Sequence, residues 1–269
     1  MSSPRGSWAR EPDTVVLSAG QAPTAIPAPF AIVTESAYVP IPLEFEPHSH
    51  PLHELVWVRG GTMTVRLDDQ LMTVPDGHGL WIPAGVIHSG RMTARASLFD
   101  ALFDPARSRV SFAAPVAVDI TPVLAALLTH LERTDLSDDA RVRAEAVVFD
   151  VLLPAERQLA LRVPDAPRIG EIVDALMQDP TNELTLAAWA DRAGVSERTI
   201  ARLFRTHTGL SFLQWRQSLR VHQALTLLGE GLAVHEISDQ LGYSQPSAFI
   251  AAFKRVMGVT PGVYAGRDV

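Results

Sequence analysis

Between Leu184 and Tyr264 the chain writes one helical plan twice, and that repeat restricts its fold more than any other feature. In the first copy, LTLAAWADRAGVSERTIARLFRTHTGLS, Leu186, Ala190 and Ala193 give a short apolar face that ends at Gly194. A glycine there suits the left-handed residue of a tight helix-to-helix turn. Val195 then reads as a core plug, Ser196 as an N-cap, and Ile200, Leu203 and Phe204 as the inner face of a second helix. Arg198, Ala201, Arg202 and Arg205 are left on the outer face. The second copy, VHEISDQLGYSQPSAFIAAFKRVMGVTP, puts Gly242 in the place of Gly194, Ser244 in that of Ser196 and Gly258 in that of Gly209, and is one residue longer. Ser244 is the expected cap, and Pro246 falls in the first helical turn, where a missing N–H costs nothing. Two helix-turn-helix units in tandem are expected.

The segment between them, SFLQWRQSLRVHQALTLLGEG, places Phe212, Trp215, Leu219, Ala224 and Leu228 roughly along one stripe. A helix of about 20 residues spans about 30 Å, close to the ~34 Å between successive major-groove openings on one face of B-DNA. Two outer helices held that far apart can enter adjacent grooves of double-stranded DNA. The runs AGVSERTIARLFRTHTG, LR..A..LL and LGYSQPSAFIAAFKRVMGVTP resemble, in order and spacing, the DNA-binding domain of the AraC/XylS family of bacterial transcription regulators. That resemblance implies base reading by Arg198, Ala201 and Arg202 on the first recognition helix and by Pro246, Ser247, Ile250 and Ala251 on the second. Ser196, Thr199, Arg205, Ser244, Gln245 and Lys254 belong to the same expected interface. The second helix departs from the family pattern: an arginine common at the position of Ala251 is absent, and Pro246 replaces a polar residue. Sequence readout is therefore expected from the first helix, with the second positioned on phosphates through Ser247, Lys254 and Arg255.

A net charge of −7 looks wrong for a nucleic-acid partner, but it is unevenly spread. From Arg168 onward ten basic residues balance ten acidic ones, so the excess acid lies ahead of the repeat. Within the first recognition helix, Arg198, Arg202, Arg205 and His207 face only Glu197, which makes a local basic face. With 47% hydrophobic and 20% charged residues the composition is that of an ordinary soluble protein. No apolar run is long enough to cross a membrane, and MSSPRGSWAREPDTVV lacks the apolar core of a signal peptide, so a cytoplasmic location is expected. The absence of cysteine removes disulfide and thiolate chemistry.

Ahead of the repeat, residues 1–24 are polar and Pro-rich and read as a loose arm. Residues 25–118 carry short β-rich runs broken by Gly, Pro and Asp-Asp turns, as an antiparallel barrel or sandwich does. From Thr121 the period turns helical: TPVLAALLTHLERT, with Leu124, Leu127, Leu128 and Leu131, and then SDDARVRAEAVVFDVLLPAERQLALRV predict a helical hairpin over 119–163 that offers a face to a second subunit. PDAPR, 164–168, reads as a Pro-broken linker, and a helix from Ile169 to Met177 opens the last domain, 169–269. The fold class expected is α+β: an antiparallel β-barrel domain followed by an all-α domain.

Inside the barrel segment His48, His50 and Glu54 share parity, so on one strand they project to one face. GHGLWIPAGVIH follows, with a Pro-Ala-Gly turn before His88. The two stretches resemble the paired motifs of the cupins: His48-x-His50-x3-Glu54 with Gly61, then Gly77-x5-Pro83-x-Gly85-x2-His88. The resemblance implies a metal held by His48, His50, Glu54 and His88; an Asn often found four residues after the last His is Met92. Three imidazoles and a carboxylate suit a divalent transition metal, Fe, Mn, Ni, Co or Zn, without choosing among them. His53 and His78 fall out of parity and read as surface residues, and Trp57 and Trp81 as core. The function expected is a DNA-binding transcription regulator, not an enzyme. Its cupin domain takes a metal or small effector, and its partners are a second copy of the chain and RNA polymerase. Two alternatives stand beside it: a metallo-cupin enzyme carrying a DNA domain, and a metal-free regulator whose barrel takes an organic effector.

Overall fold

A computed structural model describes residues 13–18, 23–110 and 112–266. The described chain is α+β and divides into two units, one of Asp13–Leu67 with Met72–Leu159, the other of the segment from Ala160 onward with Asp68–Leu71.

The first unit is two sheets and a helical hairpin. Its strands are β1 (Val15–Leu17), β2 (Ile32–Val39), β3 (Leu43–His48), β4 (His53–Arg59), β5 (Thr62–Arg66), β6 (Gln70–Pro75), β7 (His78–Ile82), β8 (His88–Met92), β9 (Ala96–Phe103) and β10 (Val116–Asp119). One sheet runs β10-β7-β4-β9-β2 and the other contains β1-β3-β8-β5-β6 in that order. Register gives the five-stranded sheet two unlike faces. Glu35 lies opposite Asp100 and Ala37 opposite Leu98, while Glu54 pairs with Leu102 and Val56 with Asp100. Because side chains alternate, these residues share one face, and Leu55, Trp57, Phe99, Ala101 and Phe103 share the other.

That second face is covered by α1 (Pro122–Leu131) and α2 (Asp138–Val151). Leu124, Leu128, Leu131, Val148 and Leu152 join Leu55, Trp57, Trp81 and Phe103 in one core. Thr121 and Ser137 cap the two helices through their side-chain oxygens. Buried Glu145 of α2 accepts from the backbone N–H groups of Ala31 and Ile32 at 2.8 and 3.3 Å, and Arg141 donates to Ile32 O at 2.8 Å, which ties α2 to the start of β2.

The C-terminal unit begins with β11 (Ala160–Arg162), a 3-10 turn at Pro167–Ile169 and α3 (Gly170–Gln178). Then come α4 (Leu186–Ala193), α5 (Glu197–Thr208), α6 (Phe212–Gly229), α7 (Val234–Gln240), α8 (Pro246–Met257) and α9 (Pro261–Tyr264). The repeat is exact at its turns. Gly194 (φ 63°) and Gly242 (φ 71°) are left-handed, and the residue after each donates back to Ala190 O and Ser238 O, both at 3.0 Å. Gly209 and Gly258 close the second helices with φ 74° in both copies. α6 starts with a capping box of Ser211 and Gln214 and is buried almost all round, since its Phe212, Trp215 and Leu219 face the first helix-turn-helix and later residues the second. Arg220 donates to Pro180 O at 2.7 Å and Thr181 O at 3.0 Å and stands over Tyr243, fastening the approach to α4 to the turn after α7. No helix among the described residues is long and apolar enough to cross a membrane.

Four local expectations are corrected. The arm over 1–24 lies in part outside the described residues, but within it Val15–Leu17 pairs in parallel with β3. The second helix of the hairpin ends at Val151, because Pro154 disfavours helix at Leu153 and removes a donor. The linker segment 164–168 is packed at its middle and both flanks: Ala166 within it, and Val163 and Ile169 on either side, are buried in the core of the C-terminal unit. Ser244 caps nothing; the extra residue of the second copy lets Pro246 set the helix start, and Gln245 becomes the N-cap, without a side-chain bond.

Candidate functional site

The polar face of the five-stranded sheet and the inner face of the other line an open-mouthed cavity of about 560 Å³. Phe45, Val56, Met63, Val65, Ile82, Leu98 and Leu102 supply its apolar wall. His48, His50, Glu54 and His88 also line it, so the four predicted ligands come together. Shared parity on one strand is not what does this. His48 ends β3, His50 lies in the β3–β4 turn, Glu54 is on β4 and His88 opens β8. His48 and His88 are directly opposed across the two strands, with ring centroids 4.2 Å apart. The turn is held by Gly85 N–H donating to His50 O at 2.9 Å, which fastens the first motif to the second. Gly61 has its own reason: a Cβ there would meet Thr93 Oγ1 at 2.5 Å and Ala96 Cβ at 2.6 Å.

Each imidazole is oriented from behind. Nδ1 of His48 lies 2.7 Å from Glu46 O, that of His50 2.6 Å from Leu52 O and that of His88 3.0 Å from Val86 O. A carbonyl only accepts, so all three Nδ1 atoms carry the proton and each neutral ring presents Nε2 as a lone pair. One donor atom from each ring lies within 4.8 Å of the others. Glu54 Oε2 stands 3.1 Å from His50 Nε2 and 3.2 Å from His88 Nε2. Lone pairs on nitrogen and carboxylate oxygen at those distances repel unless a proton or a cation lies between them. Protonation is one solution. Burial opposes charge on His50, but Glu54 beside it outweighs burial and raises its pKa. Burial also works against the Glu54 carboxylate, and its hydrogen bonds to His50 and His88 overcome that and hold it at about 2. His48 is shifted down, by burial first. A divalent cation is the other solution, and the donor set fits one: three nitrogens, one oxygen and carbonyl partners on each ring.

Two carboxyls that sequence reasoning did not single out face the same cavity, Glu35 and Asp100. Burial, and then the charges of Glu54 and Glu35, push the Asp100 carboxyl well above the usual carboxylate range. Its signal was an acid at a position of β9 that the alternation makes inward, flanked two residues away by Leu98 and Leu102. Trp57 and Trp81 are core, buried beneath the hairpin. His53 is not a free surface residue: its Nδ1 accepts from Ala84 N–H at 2.9 Å and its ring lies against Trp81, which braces the Pro83–Gly85 turn. His78 is half-buried, with Nε2 3.7 Å from Asp119.

On α5, Arg198, Arg202 and Arg205 are exposed, while Thr199 and Ala201 are half-buried. Ser196 caps the helix by accepting from Thr199 N–H at 3.2 Å, and the two hydroxyls are 2.9 Å apart. On and before α8, Ser244, Gln245, Pro246, Ser247, Ala251 and Lys254 are exposed and Ile250 is half-buried. Arg255 is engaged: it donates to Gln217 Oε1 of α6 at 3.1 Å.

Comparison with known proteins gives two family models. A helix-turn-helix domain matches residues 189–267 and an AraC-like ligand binding domain matches residues 42–145. The HTH-type transcriptional regulator NimR of Escherichia coli is 34% identical over 82% of this chain and 82% of its own length. RipA, an HTH-type transcriptional regulator of Corynebacterium diphtheriae, is 25% identical over 78% of this chain and 59% of its own. The HTH-type transcriptional activator RhaR of Mannheimia succiniciproducens is 22% identical over 90% and 93%.

Proposed function

Because this chain belongs to the AraC family of helix-turn-helix transcriptional regulators, we propose that it binds promoter DNA under the control of its cavity, which takes a divalent metal together with, or in place of, a small effector. The observation that carries the reading is the convergence of three imidazole lone pairs and the Glu54 carboxylate at one wall of the cavity. His48, His50, His88 and Glu54 would hold the metal, which supplies a positive charge and open coordination positions for an effector's donor atom. On the DNA side, Arg198, Ala201 and Arg202 of α5 read bases, with Ser196, Thr199 and Arg205 beside them. Ser244, Gln245, Pro246, Ser247, Ile250, Ala251 and Lys254 set the second unit against an adjacent groove. The working form is a homodimer, for which exposed Val123, Val142 and Val147 on the helical hairpin offer an apolar face, and RNA polymerase is the further partner.

The test is fluorescence anisotropy of the full chain with DNA from upstream of its own gene, at fixed salt, with chelator and then with each candidate metal. The expected outcome is a specific affinity that one metal changes by about tenfold or more, roughly 1.4 kcal/mol of coupling. Equal, tight binding under every condition overturns metal control and leaves an organic effector as the sole signal.

A further inference from the structure

Beyond the metal, the cavity has a second polar wall. Glu35 and Asp100 are directly opposed on β2 and β9, on the face that lines the cavity. Asp100 hydrogen-bonds the backbone of Ala101, but its Oδ1 is buried with no hydrogen-bond partner. A buried acceptor without a donor costs about 1–3 kcal/mol, and the exposed carboxylate of Glu35, directly across from Asp100, adds a second acidic group to the same wall. Among the described residues no lysine or arginine lines the cavity to supply one. An N–H donor carrying positive charge would satisfy the Oδ1 acceptor and the acidic wall together. Phe45, Val56, Met63, Val65, Leu98 and Leu102 supply apolar lining in the same cavity, a body site without further hydrogen-bonding demands.

We infer that the cavity takes a small organic amine, with its ammonium against Asp100 and Glu35 and its apolar body along the Phe45–Leu102 wall. A volume of about 560 Å³ lies within the usual range for sites that enclose a small organic ligand. At the Asp100–Glu35 wall a free carboxylate or phosphate meets no lysine or arginine and would be repelled by the same two acids. The inference rests on the reading of this cavity as the effector site.

The probes are matched phenylalkyl amines, carboxylates and alcohols of equal chain length, titrated calorimetrically into the full-length protein. Amines are expected to bind at least about tenfold more tightly than the matching carboxylates. Asp100→Asn, checked for folding by circular dichroism, is expected to lose at least about tenfold in amine affinity while binding the alcohol unchanged. Glu35→Gln serves the same purpose should the first variant not fold. Carboxylates binding as well as amines, no amine binding at millimolar concentration, or unchanged amine affinity in both variants each overturn the inference. DNA affinity read in the same samples separates the two readings. An amine that binds without altering it sinks effector control alone, whereas a carboxylate that binds and alters it sinks the amine alone.

Discussion

His222 illustrates how one side chain carries a solution property of the whole chain. It lies inside α6, and burial pulls its pKa down to about 4 from 6.5. The unfolded chain therefore takes up a proton between pH 6.5 and 4 that the folded one refuses, so stability falls as pH falls through that window. The gap corresponds to roughly 3 kcal/mol once both pH limits are passed. Urea midpoints measured from pH 7.5 to 4 should drop for the wild type, and His222→Gln should flatten the part of the slope between 6.5 and 4. An identical slope in the variant would assign the acid sensitivity elsewhere. The cavity histidines work by the opposite device: carbonyls behind His48, His50 and His88 fix their outward protons, so their inward nitrogens are free to meet a cation.

At the level of elements, the two recognition helices share geometry but not chemistry. α5 and α8 have the same length and the same glycine closure, yet α5 exposes Arg198 and Arg202 where α8 exposes Ser247 and Ala251, and only Arg205 has a basic counterpart, Lys254. A long bidentate donor can distinguish a guanine edge; a short or apolar residue discriminates less. Arg202→Ala is expected to cost about 1–3 kcal/mol on a cognate site and little on random DNA. Equal losses on both would reduce Arg202 to a phosphate contact. The phosphate role expected of Arg255 is weakened by its bond to Gln217, which leaves Lys254 and Ser247 for it.

Across the whole molecule, control requires that metal and DNA each bias the other's binding, and the coupling free energy is the same in both directions. Isothermal titration of metal into the protein with and without specific DNA should therefore reproduce the ratio found by anisotropy. His50→Ala, lacking one ligand, should lose stoichiometric metal and the metal response while retaining basal DNA affinity. A variant that keeps both metal and response would remove His50 from the site.

What local chemistry alone dictates was legible from the residues. The tandem helices, their glycine turns and the Ser196 cap follow from spacing and conformational preference, because each acts within a few residues of itself, whereas the four candidate ligands were legible through the resemblance to the cupin motifs. The reasons given for them were not always the right ones. His48, His50 and Glu54 meet through a turn and two strands, and Ser244 lost its cap to a proline two positions on. Glu35 and Asp100 were illegible for a different reason. They are 65 residues apart, and only strand register puts them on one face of one cavity. Register is settled by which faces of the sheets are buried, with Trp57, Trp81 and Phe103 drawn under the hairpin and the acids left inward on the other side. That decision belongs to tertiary packing, and no local pattern contains it.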